Sequence, residues 1–386
     1  GPPRIGFVKL RLDKIDLSRL APYLGPAVPA RVESALASAD WKLGALEKGK
    51  PLTVAGFFEI AGLQLEGGQP FDLRLDAGLE VDLDALGVRI DKLDLKAGSV
   101  ALAMAGSLSD LAGAPKFKDF TLRSTTLDPA VLLRYYPAAR ASLPPGARLE
   151  GAVRLDVKAS GDASRQSVKA DVDLAALDVL LPDTFLKPAG TPMGLSVDVD
   201  FTASDASLRG LSLRLDELDV RLSGTVKDFS APALDLKLEA RPFSFDRLAR
   251  LLPAANKALA ASGAKASGDG KLSGHVKGTM TDLDAGLELG LLGVKLDVPG
   301  TRLDGDLTVA IGARGNPEKS LSATLRLDAD KAVIVVDGMV DKSSSTPALL
   351  DAAIRRDGDR IDVQKLALRF AELQLSASGN LDLAAG

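Results

Sequence analysis

The sequence predicts an all-β fold built as a repetitive antiparallel sheet with a few short helices. Three observations carry that prediction. Apolar and polar residues alternate with period two along most of the chain, one hairpin pattern occurs three times, and a strand running into a short helix recurs at a near-constant interval.

The hairpin is clearest in Leu211 to Gly224. Apolar residues stand at 211, 213 and 215 and then at 218, 220 and 222, so the alternation skips one step at Asp216-Glu217. Two strands joined by a two-residue loop produce that slip, because the residues flanking the loop face each other on one side of the sheet. The expected pairs are Leu215 with Leu218, Leu213 with Val220, and Leu211 with Leu222. The same device pairs Ala97 with Val100, Leu95 with Leu102 and Leu93 with Met104. It pairs Phe370 with Leu373 and Leu368 with Leu375, with Leu366 at the start of that hairpin. In each case a glycine lies thirteen residues after the first leucine, at 106, 224 and 379. Gly98-Ser99 suits a tight turn, whereas Asp216-Glu217 and Ala371-Glu372 are poor choices for positive φ, which leaves room for longer loops there.

The strand-to-helix step joins Phe7–Asp13 to a helix over Ile15–Leu24, Phe120–Ser124 to one over Leu127–Pro137, and Leu234–Ala240 to one over Phe243–Pro253. Ile15, Leu127 and Phe243 are spaced by 112 and 116 residues, and the glycines at 106 and 224 by 118. Asp128 and Asp246 stand at expected N-caps, Pro129 at a first helical position, and Pro137 and Pro253 stop or kink each helix. Helices this short need a sheet to lie on and read as covers or end plugs.

These periods divide the chain into a cleavage remnant at 1–3 and three repeat units at 4–126, 127–242 and 243–386. The first unit opens with the last strand of a preceding one. The third carries an extra strand block, Ala332–Gly338 with the loop Lys342–Pro347, which accounts for the 155 residues separating the second and third hairpins. Ala260–Gly270, rich in Ala, Ser and Gly, reads as a mobile loop. Both chain ends are expected to be strand edges with nothing to pair with, so the native protein is expected to continue on at least one side.

Composition narrows the function classes. Of 386 residues, 46% are hydrophobic and only 4% aromatic, so the apolar face is made of Leu, Val and Ala. With 48 basic against 52 acidic residues, nucleic acid is a disfavoured partner. There is no cysteine, hence no disulfide or thiolate metal site, and no apolar run of membrane-spanning length. His275 is the single histidine and is expected at the surface. Asp198/Asp200 and Asp282/Asp284 fail the spacing of a calcium loop, and Gly268–Lys271 lacks the Ser/Thr of a phosphate loop. No nucleophile, base and stabiliser can be named together, so neither an enzyme nor a cofactor is expected.

Alternating strands, a hairpin closing on Gly, and a Leu-Asp-Leu strand feeding a short helix, as in Gly224–Ala240, resemble the AsmA-like family (TamB-related) of Gram-negative envelope proteins. The resemblance covers about residues 7 to 383. It implies an elongated sheet curled into a hydrophobic groove, periplasmic and held by an inner-membrane anchor, carrying phospholipid between the inner and outer membranes. The candidate groove residues are Leu93, Leu95, Val100, Leu102, Met104, Leu211, Leu213, Leu215, Leu218, Val220, Leu222, Leu366, Leu368, Phe370, Leu373 and Leu375. Ala97, Ala103 and Ala377 are expected to keep the trough open. The pattern itself fits two further readings: a structural envelope or secretion scaffold with a closed, dry core, and an outer-membrane barrel. The barrel is disfavoured by one tryptophan and three tyrosines, too few for aromatic girdles.

Overall fold

The computed structural model describes residues 6–19, 31–47, 49–113, 116–261, 263 and 265–382, and among them 25 strands and four short helices. The chain divides into two compact units, one of residues 1–182 and 187–203, the other of residues 183–186 and 204–386.

The sheet of the first unit contains β1 (Val8–Asp16), β2 (Val32–Leu43), β3 (Leu52–Leu65), β4 (Phe71–Asp82), β5 (Gly87–Ala97), β6 (Val100–Ser109) and β7 (Lys116–Leu127). Beyond these come a short β8 (Arg148–Glu150), then β9 (Val153–Gly161), β10 (Gln166–Asp173), short β11 (Asp178–Leu181) and β12 (Phe185–Lys187), of which only Lys187 belongs to this unit, and β13 (Met193–Phe201). Strands β1 to β7 pair in chain order as an antiparallel meander, continued by β9, β10 and β13, while β8 pairs with β11 to one side. Gly151 (φ 114°) separates β8 from β9.

The second unit holds β14 (Ala206–Leu215), β15 (Leu218–Lys227), β16 (Ala233–Ser244), β17 (Lys265–Thr279), β18 (Asp282–Val298), β19 (Thr301–Asn316) and β20 (Ser320–Asp328). After the short β21 (Ala332–Val336) and β22 (Val340–Lys342) come β23 (Ala348–Asp357), β24 (Arg360–Phe370) and β25 (Leu373–Asp382). Strands β14 to β20 pair in order, then β20 with β23, β23 with β24, and β24 with β25. In neither unit does the first strand of the meander pair with the last, so neither sheet closes into a barrel.

All three hairpins have the expected register. Leu93 faces Met104, Leu213 faces Val220, and Leu368 faces Leu375. Each loop has two residues, and its first residue adopts positive φ: Gly98 at 58°, Asp216 at 53° and Ala371 at 53°. Left-handed backbone is unfavourable for the latter two by roughly 1–2 kcal/mol, and each is held from outside. Arg247 bonds the Asp216 carboxylate, and the Ala371 N–H donates to the Pro347 carbonyl at 2.9 Å.

The recurring glycine sits opposite a β-bulge each time, at Ile90/Leu93, Leu208/Leu211 and Val363/Leu366. Gly106 (φ 143°) and Gly224 (φ 136°) have the backbone of the following strand pressed against them; a Cβ on Gly106 would lie 2.6 Å from the Phe120 Cα. Gly379, on β25, has nothing within 4 Å. The glycine is thus required where another strand follows the hairpin.

Helix α1 (Pro129–Tyr135) starts as expected, with Asp128 Oδ1 accepting from the Ala130 N–H at 2.9 Å, and Pro137 opens a second short helix, α2 (Pro137–Arg140). In α3 (Phe245–Arg250) the N-cap is Ser244, not Asp246, which lies in the first turn; Pro253 begins α4 (Pro253–Ala261). The helix expected over 15–24 fails at its start, because Ile15 and Asp16 close β1; residues 20–30 lie outside the described ones. The mobile loop expected at Ala260–Gly270 is mostly strand, since β17 begins at Lys265 and is bracketed by β16 and β18. Residues 265–267 are held there by the ladder to β18, and Asp269 and Gly270 by ladders to both β16 and β18.

Two small lobes hang from the sheets with one design. In the first unit the Leu174 N–H donates to the Met193 carbonyl at 2.9 Å; in the second the Ala329 N–H donates to the Ala348 carbonyl at 2.8 Å. Each pair is 155 residues from its counterpart, the interval of the hairpins. Ala332–Gly338 therefore has an equivalent at 177–183 and is not the extra block. The added length of the third repeat lies instead in β17 and β18, for which the first unit has no pair of strands between α2 and β8.

Candidate functional site

The two faces of each sheet differ in what completes them. On the polar face, charged side chains pair along and across strands: Arg74 with Glu59 of the neighbouring strand (2.9 Å) and Asp76 of its own (3.0 Å), Lys169 with Asp198 (3.0 Å), Arg165 with Asp200 (2.9 Å), and Arg314 with Asp284 (2.5 Å). The hydrogen bond from Arg314 holds the Asp284 carboxyl below its ordinary range, and Arg74 does the same for Asp76. Apart from Arg165–Asp200, whose carboxylate is buried, these are exposed pairs that each contribute little, but they leave this face complete in water. His275 is on it, 3.7 Å from Asp284. Among the described residues no cluster of metal-ligating side chains occurs.

The other face is apolar and in the second unit largely uncovered. One cross-strand row runs Leu211, Leu222, Leu238, Gly274, Leu287, Ile311 and on through Leu325 to Leu366. The neighbouring row joins Leu213 and Val220 to Leu368 and Leu375 in the same way. Hairpins distant in sequence thus contribute to one continuous surface, about 40 Å across at the usual strand spacing. Leu213 is 47% exposed, Ile311 50% and Leu375 54%. A leucine left half in water forgoes on the order of 1 kcal/mol of its burial free energy.

Within this surface a hollow of about 320 Å³ opens over five consecutive strands. Leu222, Leu236, Leu238, Val276, Leu287 and Ile311 form its walls; Gly274, Ala285 and Ala313 lower its floor. The small residues alternate with large ones along the strands, Gly274 with Val276, Ala285 with Leu287 and Ala313 with Ile311. The loop ends of two hairpins form a closed rim. Helix α3 reaches the β14–β15 turn through Arg247, which bonds Asp216 and Glu217. The lobe of the second unit packs Ala329, Ala332 and Ala348 against Phe370, Leu303, Leu307 and Ile334 near the β24–β25 turn.

The first unit carries the same kind of row: Trp41, Gly56, Ala77, Leu93, Met104 and Leu122 face one another in succession. Tyr135 of α1 stacks on Phe71 (centroids 4.1 Å apart) and its hydroxyl lies over Gly98 of the β5–β6 turn, so a helix again covers a hairpin end.

All sixteen candidate residues lie on the apolar face of their own unit. Leu93, Leu95, Leu102, Met104, Leu211, Leu215, Leu218, Val220, Leu222 and Phe370 are half-buried, and Leu213, Leu366, Leu368, Leu373 and Leu375 are exposed. Val100 is buried and belongs to a packed end, as does Phe370. Ala97 and Ala377 are on this face, but Ala103 is on the polar one, opposite Asp94 and Arg123. The hairpin pattern missed most of the hollow's lining, since Leu236, Leu238, Val276, Leu287 and Ile311 are on β16 to β19. The small residues alternating with leucine there, Gly274, Ala285 and Ala313, were the available signal. Comparisons with family models, curated proteins and solved structures found no match.

Proposed function

We propose that the chain is a non-enzymatic lipid-binding protein whose apolar sheet face takes up phospholipid acyl chains and passes them along its cross-strand rows. The observation that carries this reading is the continuous row from Leu211 to Leu366, half in water and lining a hollow at Leu238, Leu287 and Ile311. A bound acyl chain gains about 0.8 kcal/mol per buried methylene, so one tail of ordinary length is a sufficient guest, and a row of similar sites lets it move without leaving apolar surroundings. The AsmA-like resemblance supports the setting: a periplasmic protein, anchored at the inner membrane, moving lipid between inner and outer membranes. No described helix is long and apolar enough to cross a membrane.

A scaffold with a dry, closed core would need Leu213 and Ile311 packed away, and their exposure speaks against it. The test is organic extraction of the purified protein followed by mass spectrometry, with uptake of a fluorescent phospholipid as a second readout. Phospholipid recovered in a fixed ratio to protein supports the proposal. Absence of both lipid and uptake would return the reading to a scaffold.

A further inference from the structure

The apolar face of the second unit has two unlike ends. The loop ends of β14–β15 and β24–β25 are closed by α3 and by the lobe, whereas at the opposite end the strands are joined by turns alone, at 228–232, 280–281, 317–319 and 358–359. A lipid tail lying in the hollow therefore leaves one end at which a polar headgroup can stay hydrated. That end carries a cation.

The last apolar row before these turns runs from Val226 through Leu283, Gly315 and Leu321 to Arg356 and Ile361. Arg356 is the single charged residue among the ladder partners of this row and of the three rows behind it, which include those of Leu211 and Leu213. It is exposed, and its guanidinium has no acidic partner among the described residues. Asp357 and Asp362, the flanking strand carboxylates, are engaged on the other face by Arg355 (2.7 Å) and Arg360 (2.9 Å).

What does hold Arg356 also orients it. Its Nε donates to the Gly358 carbonyl at 2.9 Å, and the Gly358 N–H donates in turn to the Lys319 carbonyl at 2.9 Å, so the turn is pinned to its neighbour. The two terminal amino groups stay open, and a planar guanidinium presents them as a fork that suits two phosphate oxygens. Arg356 lies one row and two strands from Ala313 of the hollow, about 12 Å at the usual rise and spacing. A long side chain and a headgroup together span that distance.

We propose that Arg356 binds the phosphodiester of a lipid whose tail lies in the hollow, so that the headgroup sits at the turn end and the tail points toward α3 and the lobe. The inference rests on the lipid reading above and adds a headgroup preference, for acyl lipids that carry phosphate over those that do not.

Phosphatidylglycerol and diacylglycerol bearing the same fluorescent acyl chain are titrated against the natural protein and against Arg356→Gln, Arg356→Lys and Arg355→Gln. Arg356→Gln is expected to weaken phosphatidylglycerol binding about tenfold, and to leave diacylglycerol binding and the far-ultraviolet circular dichroism unchanged. Arg356→Lys, which keeps the charge without the fork, should recover part of the loss. Arg355→Gln, on the polar face, should match the natural protein. Inorganic phosphate at millimolar concentration should not displace the phospholipid; displacement would assign the site to free anions and overturn the lipid source. In Arg356→Gln, equal loss of both lipids, or loss of neither, would overturn the headgroup assignment and leave the lipid reading standing. Failure of the natural protein to bind either lipid would overturn the lipid reading and this inference with it.

Discussion

Within the second unit, the lobe at 329–348 and the sheet face over β15 to β19 draw on the same small palette of Ala, Leu, Val and Ile, yet only one of them makes a dry interior. The lobe supplies its own second layer. Ala332 and Lys342 are 0% exposed, and the Lys342 ammonium is enclosed by the carbonyls of Ala332 (2.5 Å), Ser343 (3.1 Å) and Asp330 (3.2 Å). Lys187 repeats the arrangement with Leu177 (2.5 Å), Ala175 (3.1 Å) and Pro188 (3.4 Å). Burial pulls both lysines below the usual lysine range, and the carbonyls compensate for the lost water. The sheet face receives no such cover, and Ile311 and Leu213 stay half in water. The chain can close a core where one is needed, so the open face is a feature of the design.

The comparison breaks most sharply at the lobe. Lys342→Met should destabilise the protein by about 3 kcal/mol in urea denaturation, because enclosed carbonyls lose their donor and remain desolvated. Lys187→Met should behave alike. A change below about 0.5 kcal/mol would mean that the lobe is no more closed than the sheet.

A smaller effect separates a covered hairpin from an uncovered one. Gly224→Ala should cost roughly 1–3 kcal/mol, since its φ of 136° excludes a Cβ and the next strand crosses there. Gly379→Ala, with open space around it, should stay within about 0.5 kcal/mol.

On the open face, Leu213→Asp should alter stability by no more than about 0.5–1 kcal/mol, while reducing uptake of fluorescent phospholipid. Unfolding of this variant would place Leu213 in a core. The polar face should contribute least. Asp284 and Asp76 are held below the ordinary carboxyl value of 3.8 by their arginines, so their contribution is complete above that pH and lost as the pH falls through the lower folded values. Stability should be flat through neutral pH and decline only in acid, and a decline near neutrality would contradict this assignment.

These contrasts also show what could be read from residues alone. The hairpins were legible because a two-residue loop forces a parity slip, and the leucines at 211, 213, 218 and 222 display it directly. The short loops at Asp216 and Ala371 were not, since what holds them, Arg247 and the Pro347 carbonyl, comes from distant segments. Lys187 and Lys342 were invisible because a lysine in a short strand looks like solvated surface until the loop that wraps it is known. The length added at β17 and β18 was credited to Ala332–Gly338, because the apolar run at Asp178–Leu181 is too short to announce itself as the same lobe. The hollow escaped because it depends on which strands are neighbours, and strand order becomes visible only in the fold.

The most direct measurement is photocross-linking with a phospholipid that carries a photoreactive group in its acyl chain, followed by peptide mapping. Adducts concentrated on apolar-face residues of β15 to β19, Leu287 and Ile311 foremost, and lost in Ile311→Asp without unfolding, are the predicted result. Adducts spread evenly over both faces, or confined to the charged one, would contradict an open apolar face that holds lipid.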